Sequence, residues 1–259
     1  MTPSTIRPAD LLRRVLPLLF WLLVWQLGAF LVELAVEGRG NELLLPYPAT
    51  VGASLVRLAG TAGFWQSIAA SLLRILWGLV WGTAAGAALA MLTHFVPWAD
   101  TLLSPAVRVI RATPVVSFIL LVLLWVGRST VPAVIAGLMV LPVVWGGVSQ
   151  GLEQTDKQLL ELARAYRFSR WKTLHLIYLP SLRPAFRTAL TTSMGLAWKS
   201  GVAAEVLCLP PLAMGTHIQN AKLYLEVPDL FAWTGVAIAL SLLLERGVRR
   251  ALAEKEVGA

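Results

Sequence analysis

The sequence predicts an all-α integral membrane protein with six transmembrane helices and a polar two-helix segment on the cytoplasmic side. Three observations carry this. The chain of 259 residues is 57% hydrophobic and only 14% charged, with a mean hydropathy of +0.71; a soluble domain of this length carries about 25% charged residues. Apolar runs of about 20 residues, the length that crosses a bilayer, recur along it. The basic residues gather at the ends of those runs, as the positive-inside rule requires, so the net charge of +8 does not point to nucleic acid.

The first span is Val15–Val36, behind a short tail (residues 1–14) carrying Arg7, Arg13 and Arg14. The run is too long for a signal h-region and has no small-x-small cleavage site, so it reads as a retained span. A mixed loop, residues 37–66, holds LLLPYP at 43–48. The second span is about 67–92. The third, about 106–126, contains Pro114, where a kink is expected. The fourth, about 131–150, contains Pro132 and Pro142. The fifth, about 185–207, is the least hydrophobic and holds Lys199 and Glu205. The sixth, about 230–247, is short and runs into a polar tail, 248–259. One transmembrane domain thus occupies 15–247. The basic residues of the N-terminal tail, of the loop after span four and of the C-terminal tail outnumber those elsewhere, which places both termini and that loop inside. Both termini inside requires an even span count. A lone cysteine, Cys208, excludes an internal disulfide, and His94, His175 and His217 have no metal-ligand spacing.

The loop after span four is the most specific stretch. Thr155 reads as an N-cap with Gln158 at the capping-box position, opening a helix in which Leu159, Leu160, Ala163 and Tyr166 recur at helical spacing. A break falls at Arg167–Phe168. Ser169 caps a second helix from Arg170 to about Leu179, which Pro180 and Pro184 are expected to end.

Within this segment Glu161, Ala163, Ile177, Leu179 and Pro180 stand at the spacing of the EAA motif, and the chain resembles the binding-protein-dependent ABC importer permeases. Leu162 replaces the usual Ala and Arg167 the usual Gly. The resemblance extends from about Leu45 to the C-terminus. It is closest to the nitrate/sulfonate/taurine-type permeases, through SLLRILWGL at 71–79, WKSGVAAEVL at 198–207 and LFAWTGVAIALSLLLER at 230–246. It implies a type I importer permease fold in which residues 155–180 couple to a cytoplasmic ABC ATPase dimer. Glu161, Arg164 and Arg167 would make polar contacts there, and Leu160 with Phe168 or Trp171 would fill an apolar pocket. It also implies a second permease subunit, most simply an identical copy, and a periplasmic or lipid-anchored substrate-binding protein facing Leu45–Pro48, Pro210–Pro211 and Met214–Gly215. An Arg at the helix C′ position costs on the order of 1 kcal/mol in the left-handed conformation that Gly adopts freely.

Charges at membrane depth are expensive and face a cavity or a partner. Lys199, with Trp198, Ser200, Thr192 and Glu205, is therefore the candidate substrate pathway. Lys199 and Glu205 lie about 240° apart on a helix and do not share a face. Gly78, Gly82, Gly86 and Ala90 repeat every four residues in span two, a stripe that lets helices approach closely in lipid. No G-x-x-x-x-G-K-[ST] phosphate loop is present and no nucleophile–base set appears. The chain reads as a transporter subunit, not an enzyme, with ATP and Mg²⁺ held by the partner ATPase. The closest relatives imply a small anion such as a sulfonate, taurine, nitrate or bicarbonate. The alternatives are a pyrimidine-type vitamin precursor, or a secondary transporter working without an ATPase.

Overall fold

The computed structural model describes residues 8–36 and 43–253, with side chains from 15–36 and 43–252. Of the basic residues, Arg7 in the N-terminal tail, Arg39 in the loop after the first span and Lys255 in the C-terminal tail lie outside the described residues. The described elements are α1 (Pro8–Ala35), α2 (Pro48–Ala59), α3 (Ala62–Phe95), α4 (Pro97–Ala112), α5 (Val115–Leu123), α6 (Val131–Glu153), α7 (Lys157–Ala165), α8 (Arg170–Thr173), a π-helical turn (Leu174–Tyr178), α9 (Leu179–Cys208), α10 (Met214–Leu223) and α11 (Val227–Ala253).

Four of these, α1 from Val15, α3, α6 and α11 to Leu252, are long and apolar enough to cross a membrane, and α4 with α5 makes a fifth candidate span. The sixth helix is α9. Its 30 residues reach about 45 Å at 1.5 Å per residue, but Arg183, Arg187, Lys199 and Glu205 make it too polar to pass on composition. The apolar faces of α1 are largely uncovered: Leu18, Trp21 and Leu31 are each more than 60% exposed. That is an ordinary state for a helix whose solvent is lipid.

Three elements depart from the sequence reading. The third span is not one kinked helix over 106–126. α4 ends at Ala112, Pro114 has an extended backbone (ψ 134°) and α5 leaves at 105° to α4. Proline cannot donate the helical hydrogen bond, and Thr113 before it is pushed out of the α region. Nor do Pro180 and Pro184 end the second coupling helix. Pro180 lies in the first turn of α9 and Pro184 inside it. The turn before them widens, with the Leu179 N–H donating to the Leu174 carbonyl five residues back, and this π-helical step carries the backbone past Pro180, which has no N–H to give. The first cap is Asp156, not Thr155. Asp156 Oδ1 accepts from the Gln158 N–H at 2.8 Å, whereas the Thr155 hydroxyl donates to the Gly151 carbonyl.

The chain divides into two compact units; the divisions fall within α3, α10 and α11 rather than in linkers. One unit comprises residues 1–65 with 217–236. In its described part the Trp25 indole N–H donates to the Pro46 carbonyl, Trp25 stacks on Phe231 and Arg57 pairs with Asp229 at 2.5 Å. His217 lies flat on Trp233 at 4.5 Å, and burial pushes its pKa below the usual histidine range.

The other unit, 66–216 with 237–259, is built on α6 and α9. In α6 Val131, Ile135, Val140 and Val144 are fully buried. Gly147 and Gly151 let α9 approach: a Cβ on Gly147 would meet Ala189 Cβ at 2.6 Å. α3 packs along the same helix through its small-residue stripe. A Cβ on Gly78, Gly82 or Gly86 would come within 2.4–2.6 Å of the carbonyls of Ala133, Gly137 or Leu141, and Ala90 is fully buried. α5 adds Ile119 and Val122 to a core with Met139, Ala204 and Cys208.

Candidate functional site

Residues 155–180 present a stiff, outward-facing segment. α7 ends in a Schellman motif: the Arg167 N–H donates to the Arg164 carbonyl and the Phe168 N–H to the Ala163 carbonyl. The motif demands a left-handed residue, and Arg167 takes it with φ 52°. Ser169 then caps α8, its hydroxyl oxygen accepting from the Lys172 N–H. From there the backbone stays helical through the π-helical turn into α9, so the second half of the segment and the fifth span are one continuous rod.

The motif residues divide by direction. Ala163 and Ile177 are buried and hold the segment together. Glu161, Arg164, Arg167, Leu179 and Pro180 are exposed. Trp171 and Tyr166 are more than 70% exposed, and Leu159, Leu162 and Leu176 are also uncovered. Phe168 is half-buried beneath the Lys172 ammonium, which stands 4.2 Å from its ring centre. Leu160, Phe168 and Trp171 do not project as one knob. With Ala163, Leu174 and Tyr178 they line a groove of about 850 Å³ on this chain's own surface. Phe95, the last residue of α3, closes that groove and packs edge-on against Tyr178 at 5.4 Å. A surface of this kind, apolar at the centre and charged at the rim, is what a protein partner covers.

The five candidate pathway residues do not act together. Lys199 and Thr192 are exposed on α9, with the Thr192 hydroxyl donating to the Thr188 carbonyl. Trp198, Ser200 and Glu205 are buried. The Trp198 indole N–H donates to the Ala237 carbonyl at 3.0 Å and the Ser200 hydroxyl to the Ala197 carbonyl, so both belong to packing. Glu205 is fully enclosed. Its Oε2 accepts from the Ser71 hydroxyl at 2.8 Å and the Gly215 N–H at 3.1 Å, and its Oε1 from Arg74 at 3.2 Å. Ser71 in turn accepts from the Met214 N–H, and Arg74 also donates to the carbonyls of Pro211 and Leu212. A carboxylate against the N-terminal amides of α10 is favoured by the helix dipole. The arrangement ties α3, α9 and the 209–215 connection together, and the enclosed carboxylate presents no surface to a passing solute.

Sequence reading missed this clamp because Arg74 and Ser71 lie more than 130 positions from Glu205. Two charges of opposite sign at membrane depth in different spans were the only available signal. The same geometry buries Met214 completely and puts Gly215 against the Glu205 backbone, where a Cβ would meet Val206 N at 2.6 Å. Those two residues therefore do not form an outward docking face.

Comparison with known proteins agrees with this architecture. Residues 78–245 match the family described as binding-protein-dependent transport system inner membrane component. The taurine transport system permease protein TauC of Escherichia coli K12 is 27% identical over 81% of this chain and 78% of its own length. The bicarbonate transport system permease protein CmpB of Synechocystis sp. PCC 6803 is 25% identical over 93% and 88%. A bacterial ABC transporter structure, of a system importing the acidic polysaccharide alginate, superposes with a TM-score of 0.65 over 96% of each chain at 16% identity, a likeness of fold. The protein is all-helical, with the fold of a type I ABC importer permease and membrane-spanning helices, and it belongs to the family of inner membrane components of binding-protein-dependent transport systems.

Proposed function

We propose that this chain is the pathway-forming subunit of an ATP-driven importer of small anions, sulfonates, taurine, nitrate or bicarbonate among them. Residues 155–180 transmit the movement of a separate cytoplasmic ATPase dimer. The observation that carries the coupling role is the segment itself: an exposed apolar and charged surface whose second half, from Arg170, is joined without a helix break to α9. A rod of that kind passes a displacement at residue 170 into the span that carries Lys199. The anion reading draws on the relatives' substrates and on α9, whose uncovered face bears Lys199 and Thr192. A lysine on a span surface that the chain does not cover is costly against lipid, and a water-filled path between two permease subunits removes that cost. A second copy of this chain is the simplest partner. The basic bias of the termini and coupling segment supports a cytoplasmic location for them, with the substrate-binding protein docking on the opposite side. ATP and Mg²⁺ belong to the ATPase.

The test is co-purification of the cognate ATPase subunit from mild detergent. The native permease retains it stoichiometrically, whereas Glu161→Arg or Trp171→Ala loses at least tenfold of it. Retention by both variants together with unimpaired uptake removes the coupling role.

A further inference from the structure

We infer that the pocket between α3, α4 and α6 binds a small zwitterion, a group carrying a primary ammonium and an oxyanion a few bonds apart. Its volume is about 320 Å³, at the small end of the range of about 300–1,000 Å³ for ligand pockets. α4 contributes Asp100, Ser104 and Arg108, spaced four apart and so on one face of the helix. α3 adds Thr93, and α6 adds Ser149 and Glu153. The floor is fixed, because Thr93 and Ser104 are buried and bonded. The Trp145 indole N–H donates to the Thr93 hydroxyl oxygen at 3.1 Å, and the Ser104 hydroxyl donates to Asp100 Oδ1. Asp100 is thereby held through one oxygen, which leaves Oδ2 to accept from a ligand.

The charges at the mouth do not cancel one another. Among the described residues no hydrogen bond or ion pair engages the side chain of Arg108 or Glu153. Glu153 is the last residue of α6, where the helix dipole opposes a carboxylate and favours a cation. An ammonium there answers the carboxylate and the helix end together, with Asp100 Oδ2 as a second acceptor. The Arg108 guanidinium is a planar fork of donors that matches sulfonate, phosphate or carboxylate oxygens. A bare anion would meet two carboxylates and a bare cation a guanidinium; a zwitterion satisfies both. Trp98, Leu102 and Val109, on another face of α4, are each more than 60% exposed, so acyl chains can lie against the helix that lines the pocket. The zwitterion can therefore be a phosphatidylethanolamine headgroup or a free solute on the side of the coupling segment. Neither source requires the importer reading. The pocket adjoins the coupling groove without sharing it: His94, on the pocket wall, packs edge-on against Tyr178 with ring centres 6.0 Å apart.

The experiment uses the purified full-length permease in nanodiscs, without any ATPase, so the importer reading can fail and leave the result readable. In phosphatidylcholine discs, radiolabelled taurine is titrated with isethionate, the same sulfonate bearing a hydroxyl in place of the ammonium, as competitor. In discs of mixed phosphatidylethanolamine and phosphatidylcholine, the lipid retained on the protein is measured by native mass spectrometry; the trimethylammonium of the second lipid has no N–H to donate. Saturable taurine binding that isethionate does not displace, and that weakens by about tenfold or more in both Arg108→Gln and Glu153→Gln, supports the site with a free solute. Phosphatidylethanolamine retained in preference by the native protein and lost by both variants, without taurine binding, supports it with a headgroup. Ser149→Leu, which narrows the pocket and leaves its charges intact, is expected to give the same loss and stands in should a charge variant fail to fold. Native and variant proteins that behave alike in both arms overturn the proposal, as does a loss confined to one of the two charge variants, which shows a site for a single charge.

Discussion

Arg167 is where residue chemistry and fold compete most directly. Its left-handed backbone costs a residue with a Cβ on the order of 1 kcal/mol. Its charge, at the C-terminal end of α7 beside Arg164, returns roughly 0.3–1 kcal/mol through the helix dipole. Both effects are visible in the sequence, because the spacing marks this position as a turn whatever residue fills it. Arg167→Gly therefore leaves the denaturation midpoint of the solubilised protein unchanged or slightly raised. A fall of more than 1 kcal/mol shows instead that the guanidinium makes a contact worth more than the strain. The cap at the other end of α7 was harder to read. Thr155 and Asp156 are adjacent and both are good caps, and only the local backbone shows that Asp156 reaches the Gln158 N–H while Thr155 turns back to Gly151.

Among elements, the α3–α6 contact is set by glycine and the α8–α9 rod by proline. The four-residue stripe of α3 was legible because small residues at that spacing permit one thing, close approach of backbones. Its partner α6 was not legible, since the small pair Ala133 and Gly137 has the right spacing but nothing in the sequence says which stripe it meets. Gly82→Val places a side chain 2.5 Å from the Gly137 carbonyl, and overpacking of this kind costs about 1–3 kcal/mol. The thermal midpoint of the solubilised variant drops accordingly, while Gly146→Ala in α6, with open space around the new Cβ, stays near native. Equal midpoints contradict the packing. The prolines were misread for an instructive reason. Pro180 forbids one hydrogen bond, and a helix that widens to a π turn just before it needs no break. Pro114 has no such widening before it, and there the helix does break. Identical residues thus give a through-going rod in one place and a 105° bend in another, and neighbouring geometry decides between them.

At the scale of the whole molecule, hydropathy and basic-residue bias were sufficient for an all-helical membrane protein, and a motif of fixed spacing led to the family. The interior polar contacts were not recoverable, because Glu205 meets Ser71 and Arg74 across the fold. The division of labour among the charged residues of α9 follows from that geometry. Glu205 is consumed in holding helices together, and Lys199 remains on the face that the chain does not cover. In the proposed importer, the rod moves that face when a partner outside the membrane pulls on its exposed end. The direct measurement is uptake of radiolabelled taurine or bicarbonate into proteoliposomes holding the permease, with its ATPase and substrate-binding protein added in turn. Uptake that requires ATP, the ATPase and the binding protein together, and falls at least tenfold with Glu161→Arg while the permease still folds, is the predicted result. Uptake by the permease alone, indifferent to ATP and to residue 161, contradicts the account.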